Sequence, residues 1–193
     1  MSLLARNEYA VRAIRPDDWK RAKELRLDAL RDPVAHLAFL ETYENAAAKP
    51  DSFWQDRAVT SGEGSTTARQ FIAEAPDGTW AGSVTVLVEE AGSKDWAGSP
   101  VELRQGHAVG VFVRPGHRGN GLIEALFEAG VGWAWERAAE RVRLFVHEDN
   151  ARAQAAYRRI GFVPSGLVVS FSKDEAQREL EFVLERPACT GPA

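Results

Sequence analysis

Apolar and polar residues alternate along much of the chain, and this pattern predicts a protein built around a β-sheet. The clearest example is the stretch 102–113, where alternation would place Val109, Val111 and Val113 on one face of a strand. A Pro-Asp-Gly turn at 76–78 joins two further strands as a hairpin. In all, strands are predicted over 9–14, 70–75, 79–89, 102–113, 141–147, 162–171 and 179–184.

Between these strands, apolar residues recur every three or four positions, which is the spacing of amphipathic helices. The longest predicted helix covers 119–140, with Leu122, Leu126 and Trp133 on its buried stripe. Others are predicted over 17–30, 34–48, 52–59 and 150–160. The order of elements predicts an α/β fold (an α+β mixed sheet) with about six or seven strands and four or five helices.

Length and composition add few constraints. The 193 residues, 45% of them hydrophobic, suit a single domain over 1–186, followed by a short tail over 187–193. The net charge of -4 argues against a general affinity for nucleic acid or anionic membranes. Cys189, in the tail, is the only cysteine, so no intramolecular disulfide forms. Without a signal-like or membrane-spanning segment, we expect a cytoplasmic protein.

A glycine-rich turn between a strand and the longest helix carries the chemistry. Residues 111–126 pass from an apolar strand through Gly116, Gly119 and Gly121 directly into the helix. Such a turn directs backbone N–H groups and the positive end of the helix dipole at one point, which suits a phosphate. A Walker loop would need Gly-Lys-Ser/Thr, and the glycine spacing is the reverse of the dinucleotide fingerprint.

Two sequence blocks resemble the GNAT superfamily of acyl-CoA-dependent N-acyltransferases. The first is Val113-Arg114-Pro115 followed by Arg118-Gly119-Asn120-Gly121, and the second runs from Asn150 through Tyr157 to Gly161-Phe162. Both stand in the family's order, on elements of the expected type. Two departures concern the cofactor loop: Gly116 replaces the usual Gln or Arg, and Ile123 replaces a small residue.

The resemblance implies a GNAT-type fold, splayed beside the strand that ends at Val113, with acetyl-CoA as acyl donor. It implies that Asn150 hydrogen-bonds the cofactor arm, although this asparagine is equally suited to cap a helix. It implies that Tyr157 is the general acid that protonates the CoA thiolate, the alternative being a core tyrosine. Cofactor contacts are implied for Phe112, Val113, Arg118, Gly119, Asn120, Gly121, Leu122 and Ile123.

The sequence does not identify the general base or the residues that bind the acceptor. Four residues on or beside the two central strands are candidate general bases, namely Glu102, His107, His147 and Glu148. Aromatic residues in the helices of 17–60 serve either as core or as part of an acceptor pocket, namely Phe39, Tyr43, Phe53 and Trp54. In the same region, Glu41 and Glu44 either attract a cation or belong to a solvated helical face. No set of histidines and cysteines has metal-ligand spacing, so no metal is expected.

These observations predict an N-acetyltransferase that moves an acetyl group from acetyl-CoA to a primary amine by direct attack in a ternary complex. The alternative is a non-catalytic acyl-CoA-binding regulatory module. A toxin-like enzyme acting on aminoacyl-tRNA would need a basic face, which the net charge disfavours. The expected partners are acetyl-CoA and an amine, without nucleic acid or membrane, and the sequence leaves open a homodimer.

Overall fold

A computed structural model describes residues 9–170 and 178–188, and it confirms the mixed α/β architecture. Seven strands form one sheet: β1 Ala10–Ala13, β2 Ala68–Glu74, β3 Trp80–Glu89, β4 Gln105–Val113, β5 Arg141–His147, β6 Val163–Ser170 and β7 Arg178–Glu185. Five α-helices accompany it: α1 Trp19–Leu30, α2 Tyr43–Ala47, α3 Asp51–Thr60, α4 Leu122–Glu136 and α5 Ala151–Ile160. Within the described ranges, each helix is too short or too polar to cross a bilayer.

The centre of the sheet opens into a wedge. The strand order is β1-β2-β3-β4-β5-β7-β6, and every neighbouring pair is antiparallel except β4 and β5. These two parallel strands pair only from Gln105 opposite Arg141 to His107 opposite Arg143. Beyond that point β4 continues to Val113 without β5 as a neighbour. Residues 108–113 of this central strand therefore have a free edge.

A bulge in β4 begins where the pairing with β5 stops. Gly110 has a φ of 63°, and the register with β3 shifts between Thr85 and Ser83. The extra residue interrupts the two-residue period, so Ala108 packs in the core with Val111 and Val113. The prediction that Val109 shares their face is therefore wrong. A bulge also bends and twists its strand, which fits its position at the mouth of the wedge.

Helices cover both faces of the sheet. Helix α4 lies across one face, and its Leu126 and Trp133 are buried in the main core with strand residues of β2 to β5. Fully burying one such side chain contributes about 1.5–3 kcal/mol. Helices α1 and α3 cover the other face, where Leu25 and Ala58 meet Phe112 in a second cluster. The free edge of β4 thus lies between two packed layers.

Several predicted boundaries are wrong, for local reasons. The helix predicted over 34–48 is a 3-10 turn at Ala35–Leu37 and then α2, which starts anew where the Thr42 side chain accepts a hydrogen bond from Asn45 N–H (3.3 Å). Helix α4 ends at Glu136 because Ala138 takes a left-handed φ of 60°. Strand β4 begins at Gln105, three residues later than predicted. Phe171 and Cys189 lie outside the described residues.

Candidate active site

A cavity of about 660 Å³ lies at the wedge, between the free edge of β4, the start of α4 and one face of α5. It brings together the two sequence blocks, which are separated by about thirty residues in the chain. The predicted site residues that line it are Phe112, Val113, Arg118, Gly119, Gly121, Leu122, Ile123, Asn150 and Tyr157. Asn120 does not line it, and its side-chain amide instead lies 3.4 Å from the His117 carbonyl oxygen.

The turn before α4 is shaped to receive an anion. Gly119 and Gly121 have φ values of 82° and 73°, a region that side chains disfavour. The first backbone hydrogen bond of the helix runs from Ala125 N–H to the Gly121 carbonyl (3.1 Å). Within the described part of the chain, the N–H groups of residues 119–124 have no acceptor. They are the orphan donors of a helix start, joined to the positive end of its dipole.

The charge of Arg118 is balanced by a residue that the sequence did not single out. Its guanidinium forms a close ion pair with the buried Asp32 and donates through Nε to the Val113 carbonyl oxygen (2.9 Å). Burial raises the pKa of Asp32, but hydrogen bonds from the Val34 amide and Arg118 hold that pKa below its usual value. The pair therefore anchors the glycine turn to the segment after α1.

Two more cations line the cavity and were missed in the sequence. Arg152 and Arg159 project from α5, seven residues apart, on the face that also presents Ala155 and Ala156. Their spacing is the only signal that could have found them, because residues three, four and seven apart share one side of a helix. Arg159 also lies 3.5 Å from Glu124 on α4. The cavity thus combines free N–H groups with side-chain cations.

The free edge of β4 offers backbone groups to this cavity. Arg114 N–H donates to the Ala81 carbonyl of the neighbouring chain segment (2.8 Å), so these two residues form a hydrogen-bonded antiparallel pair. Because such pairs alternate, the N–H and C=O of Val113 point away from β3 and toward the wedge. The backbone N–H and C=O of Phe112 point in the opposite direction, toward Ser83 of β3.

Tyr157 reaches the cavity from α5 and is otherwise enclosed by aromatic rings. Its ring lies edge-on to Phe127 (5.6 Å between centroids) and Phe162 (6.3 Å). No described residue hydrogen-bonds its hydroxyl. Burial raises the pKa of Tyr157 well above its usual value, and the negative charge of Glu179 raises it further. The phenol therefore holds its proton at neutral pH and has it available for transfer.

Comparison with known proteins identifies the family. The model of the acetyltransferase (GNAT) family matches residues 19–162. This chain belongs to the GNAT acetyltransferase family. Mycothiol acetyltransferase of Saccharomonospora viridis is 38% identical over 92 residues, which are 48% of this chain and 29% of that protein. Streptothricin acetyltransferase of Streptomyces lavendulae is 44% identical over 57 residues, or 30% of each chain. The matched segments thus span under a third of either relative's length.

Solved structures of acetyltransferases share the fold. A nourseothricin acetyltransferase is 27% identical, with a TM-score of 0.53 over 63% of this chain and 66% of its own. The PaiA N-acetyltransferase of Thermoplasma acidophilum, solved with coenzyme A, reaches a TM-score of 0.68 over 92% of this chain and 99% of its own. Its identity is 13%, so this second likeness concerns the fold alone.

Asn150 has the capping geometry in this GNAT protein. Its side-chain oxygen accepts a hydrogen bond from Ala153 N–H (3.2 Å) at the start of α5, and the residue also lines the cavity. A cap of this kind stabilises a helix by about 1 kcal/mol. The predicted contact with the cofactor arm stays a prediction beside it.

The four candidate bases lie in different surroundings. Glu102 is exposed in the loop before β4. His107 is buried and lies 3.0 Å from Glu89. His147 is buried at the end of β5, and its Nδ1 accepts the Asp149 amide hydrogen bond (3.1 Å). Glu148 accepts hydrogen bonds from Arg178, which hold the pKa of that carboxyl below its usual value.

Most of the candidate pocket aromatics are core residues. Tyr43, Phe53 and Trp54 pack in a cluster with Leu30 and Ala46. Phe39 differs, because it lines the cavity while the Arg26 guanidinium lies 4.4 Å from its ring centroid. Glu41, on the loop before α2, forms ion pairs with Arg26 and Lys49. Of this set, only Phe39 lines the cavity.

One acidic residue beside the wedge was missed. Glu179 at the start of β7 is buried, and no described residue donates a hydrogen bond to its carboxylate. Burial raises its pKa from 4.5 to about 7. The sequence showed only a polar position in an alternating strand. Whether a side chain at such a position has a hydrogen-bond partner depends on the flanking strands, and the sequence does not reveal which strands these are.

Proposed function

We propose that this protein transfers an acetyl group from acetyl-CoA to a primary amine by direct attack in a ternary complex. The observation that carries the proposal is the single cavity shared by the glycine turn and Tyr157. Family membership supports the reaction class. The names of the relatives refer to mycothiol and to streptothricin, and they leave the acceptor of this chain open.

In this proposal the N–H groups of residues 119–124 bind the pyrophosphate, with Arg118 as a neighbouring charge and Asn120 shaping the turn. Arg152 and Arg159 add positive charge for further phosphate groups of the cofactor. The Val113 backbone, and Val111 beyond it, pair with the pantetheine arm as a strand would. Of the two predicted residues, Val113 suits this better, because the Phe112 backbone pairs with β3. Leu122, Ile123 and the Asn150 side chain complete the contacts.

Catalysis then needs proton transfer at two atoms. The acceptor nitrogen must be a free amine when it attacks the thioester carbonyl, and the departing sulfur must gain a proton. We assign the second role to Tyr157, because its hydroxyl lies at the cavity with its proton retained and no described partner. A purely regulatory module would have no use for a buried, unbonded hydroxyl at this place. No step needs a metal, and acetyl-CoA as donor fits the expected cytoplasmic location.

Ligand-induced thermal shifts test this function. Acetyl-CoA or CoA at roughly a hundred times its dissociation constant should stabilise the fold by about 2.7 kcal/mol, and ATP should not. Release of CoA thiol with a panel of primary amines then separates an enzyme from a sensor. If neither CoA species raises the melting temperature, the proposed function is wrong. If both do and no amine releases thiol, the regulatory alternative is favoured.

A further inference from the structure

The structure assigns a role to a carboxylate that none of the sequence motifs contains. We propose, resting on the acetyl transfer proposed above, that Glu179 is the general base, which takes a proton from the ammonium group of the acceptor.

The strand register fixes the face. Val146 of β5 lies opposite Leu180 of β7, and both pack against the main core under α4 and α5. The next pair along the ladder, His147 and Glu179, therefore faces the other side of the sheet. This pair stands at the end of β5, in the part of the strand that no longer pairs with β4. Glu179 is thus one strand away from the wedge, on the sheet face opposite to α4 and α5.

Among residues 9–170 and 178–188, none donates a hydrogen bond to the Glu179 carboxylate, which is unusual for a residue so buried. Glu179 is 8% exposed, whereas its neighbour on the same face, Glu181, is bonded by Arg143 (3.3 Å) and Ser165. A buried carboxylate without hydrogen bonds costs free energy, so such groups are commonly found where a ligand completes them. A cationic ammonium group is the chemistry that would complete this one.

Glu179 does not line the cavity itself, but it acts electrostatically on Tyr157, which does. The charge of Glu179 raises the pKa of the Tyr157 phenol, although the two residues belong to opposite layers of the sheet. In the described part of the chain, the other ionisable groups near Glu179 are His147 across the ladder, Glu181 along β7 and Arg178, which is turned to Glu148. A thioester held in the wedge would therefore have a proton donor on one side and a proton acceptor on the other.

Proton transfers accompany the bond changes of the acetyl transfer. The ammonium nitrogen gives one proton to a Glu179 oxygen, and its freed electron pair forms the bond to the thioester carbonyl carbon. The carbon–sulfur bond breaks with its electron pair on sulfur, which takes the proton of the Tyr157 hydroxyl. A second proton leaves the acylated nitrogen and restores the tyrosine through water. Glu179 then releases its proton to solvent, so the products are an amide, CoA and one proton.

Two amines of different basicity test the role. Ethylamine is an ammonium ion at pH 7, whereas 2,2,2-trifluoroethylamine is mostly neutral and needs no base before attack. In Glu179→Gln we expect kcat/KM to fall about 100-fold with ethylamine and only a few-fold with trifluoroethylamine. Wild-type rates with ethylamine should rise to a plateau above about pH 7, whereas rates of the variant should lack this plateau and rise steadily with the fraction of free amine. Glu185→Gln, at the exposed end of the same strand, is the matched control.

An equal loss of kcat/KM with both amines would overturn the assignment. A pH profile that is the same in the variant and the wild type would also overturn it. A second measurement does not depend on turnover: the carbon-13 signal of the Glu179 carboxyl, identified by its loss in Glu179→Gln, should titrate near neutral pH. Titration below pH 5, as for an ordinary glutamate, overturns the assignment as well. Failure of the proposed function is distinguishable, because it would appear as a missing thermal shift with CoA in the wild-type protein.

Discussion

The two faces of the sheet beside the wedge bury different chemistry. On the α4 and α5 side, β5 presents Val142, Leu144 and Val146, all part of the apolar core. On the other side the same strand presents Arg143, which is 5% exposed and paired with Glu89 (2.7 Å), Asp95 (3.1 Å) and Glu181 (3.3 Å). One face is held by packing, whereas the other depends on a balance of charges.

The two faces therefore contribute differently to the site. The apolar face holds the glycine turn and Tyr157 in fixed positions, as binding a large cofactor requires. On the charged face three carboxylates share one guanidinium, with His107 beside Glu89, so negative charge is in excess. The loop before β4 covers this face, with Trp96 edge-on to Phe145 (5.7 Å). A cationic acceptor suits such surroundings.

The largest effect is expected from Tyr157→Phe on the cofactor side. If the phenol protonates the thiolate, kcat should fall by about 100-fold or more, as is typical when a general acid is lost. The melting temperature should stay the same, because no described residue hydrogen-bonds the hydroxyl. Tyr43→Phe, in the separate cluster under α2, is the control. Unchanged thiol release in Tyr157→Phe would argue that the tyrosine is only a core residue.

Arg143→Met should give the largest loss of stability. It leaves Asp95, Glu181 and Glu89 buried without their shared cation, which typically costs about 3–5 kcal/mol of unfolding free energy. Denaturant unfolding measures this loss. Arg141→Gln removes one bond to Gln105 and should cost about 1 kcal/mol. Similar losses in both variants would contradict a charge-balanced face.

Glu179→Gln should stabilise the protein in alkaline solution. The native carboxyl holds its proton to about pH 7 and the unfolded one to about 4.5, so folding takes up a proton between these values. Unfolding free energy therefore falls as pH rises through that window. The glutamine variant avoids this loss and should be more stable at pH 8 by about 2 kcal/mol. Denaturant unfolding of both proteins at pH 5 and pH 8 measures this difference. Equal unfolding free energies of the two proteins would contradict the prediction.

The smallest effect concerns the glycine turn. Gly119→Ala places a side chain at a φ of 82°, which costs about 1 kcal/mol and should weaken CoA binding roughly fivefold. Gly116→Ala is the matched control, because its φ is ordinary and an added Cβ would meet nothing within 4 Å. Titration calorimetry with CoA measures both. Equal affinities would mean that the turn does not need its left-handed glycines.

The sequence predicted those parts of the molecule that depend on local pattern. The glycine turn, the stripe of α4 and the cap at Asn150 each follow from residues close together in the chain. The pairing of Arg118 with Asp32 joins residues 86 positions apart, and the burial of Glu179 depends on three strands at once. The bulge at Gly110 was missed because one inserted residue leaves the alternation on either side intact. Long-range pairing, and not propensity, set these features.

The unpaired stretch of β4 bears on whether this protein pairs with strands of other chains. Exposed strand edges attract other strands, and most proteins keep such edges at the rim, where charges or prolines guard them. Here the edge lies in the interior, flanked by α4 and α5 in a cavity of about 660 Å³. Helices that cover a strand edge hinder its pairing with another chain, so α4 and α5 protect this edge against aggregation.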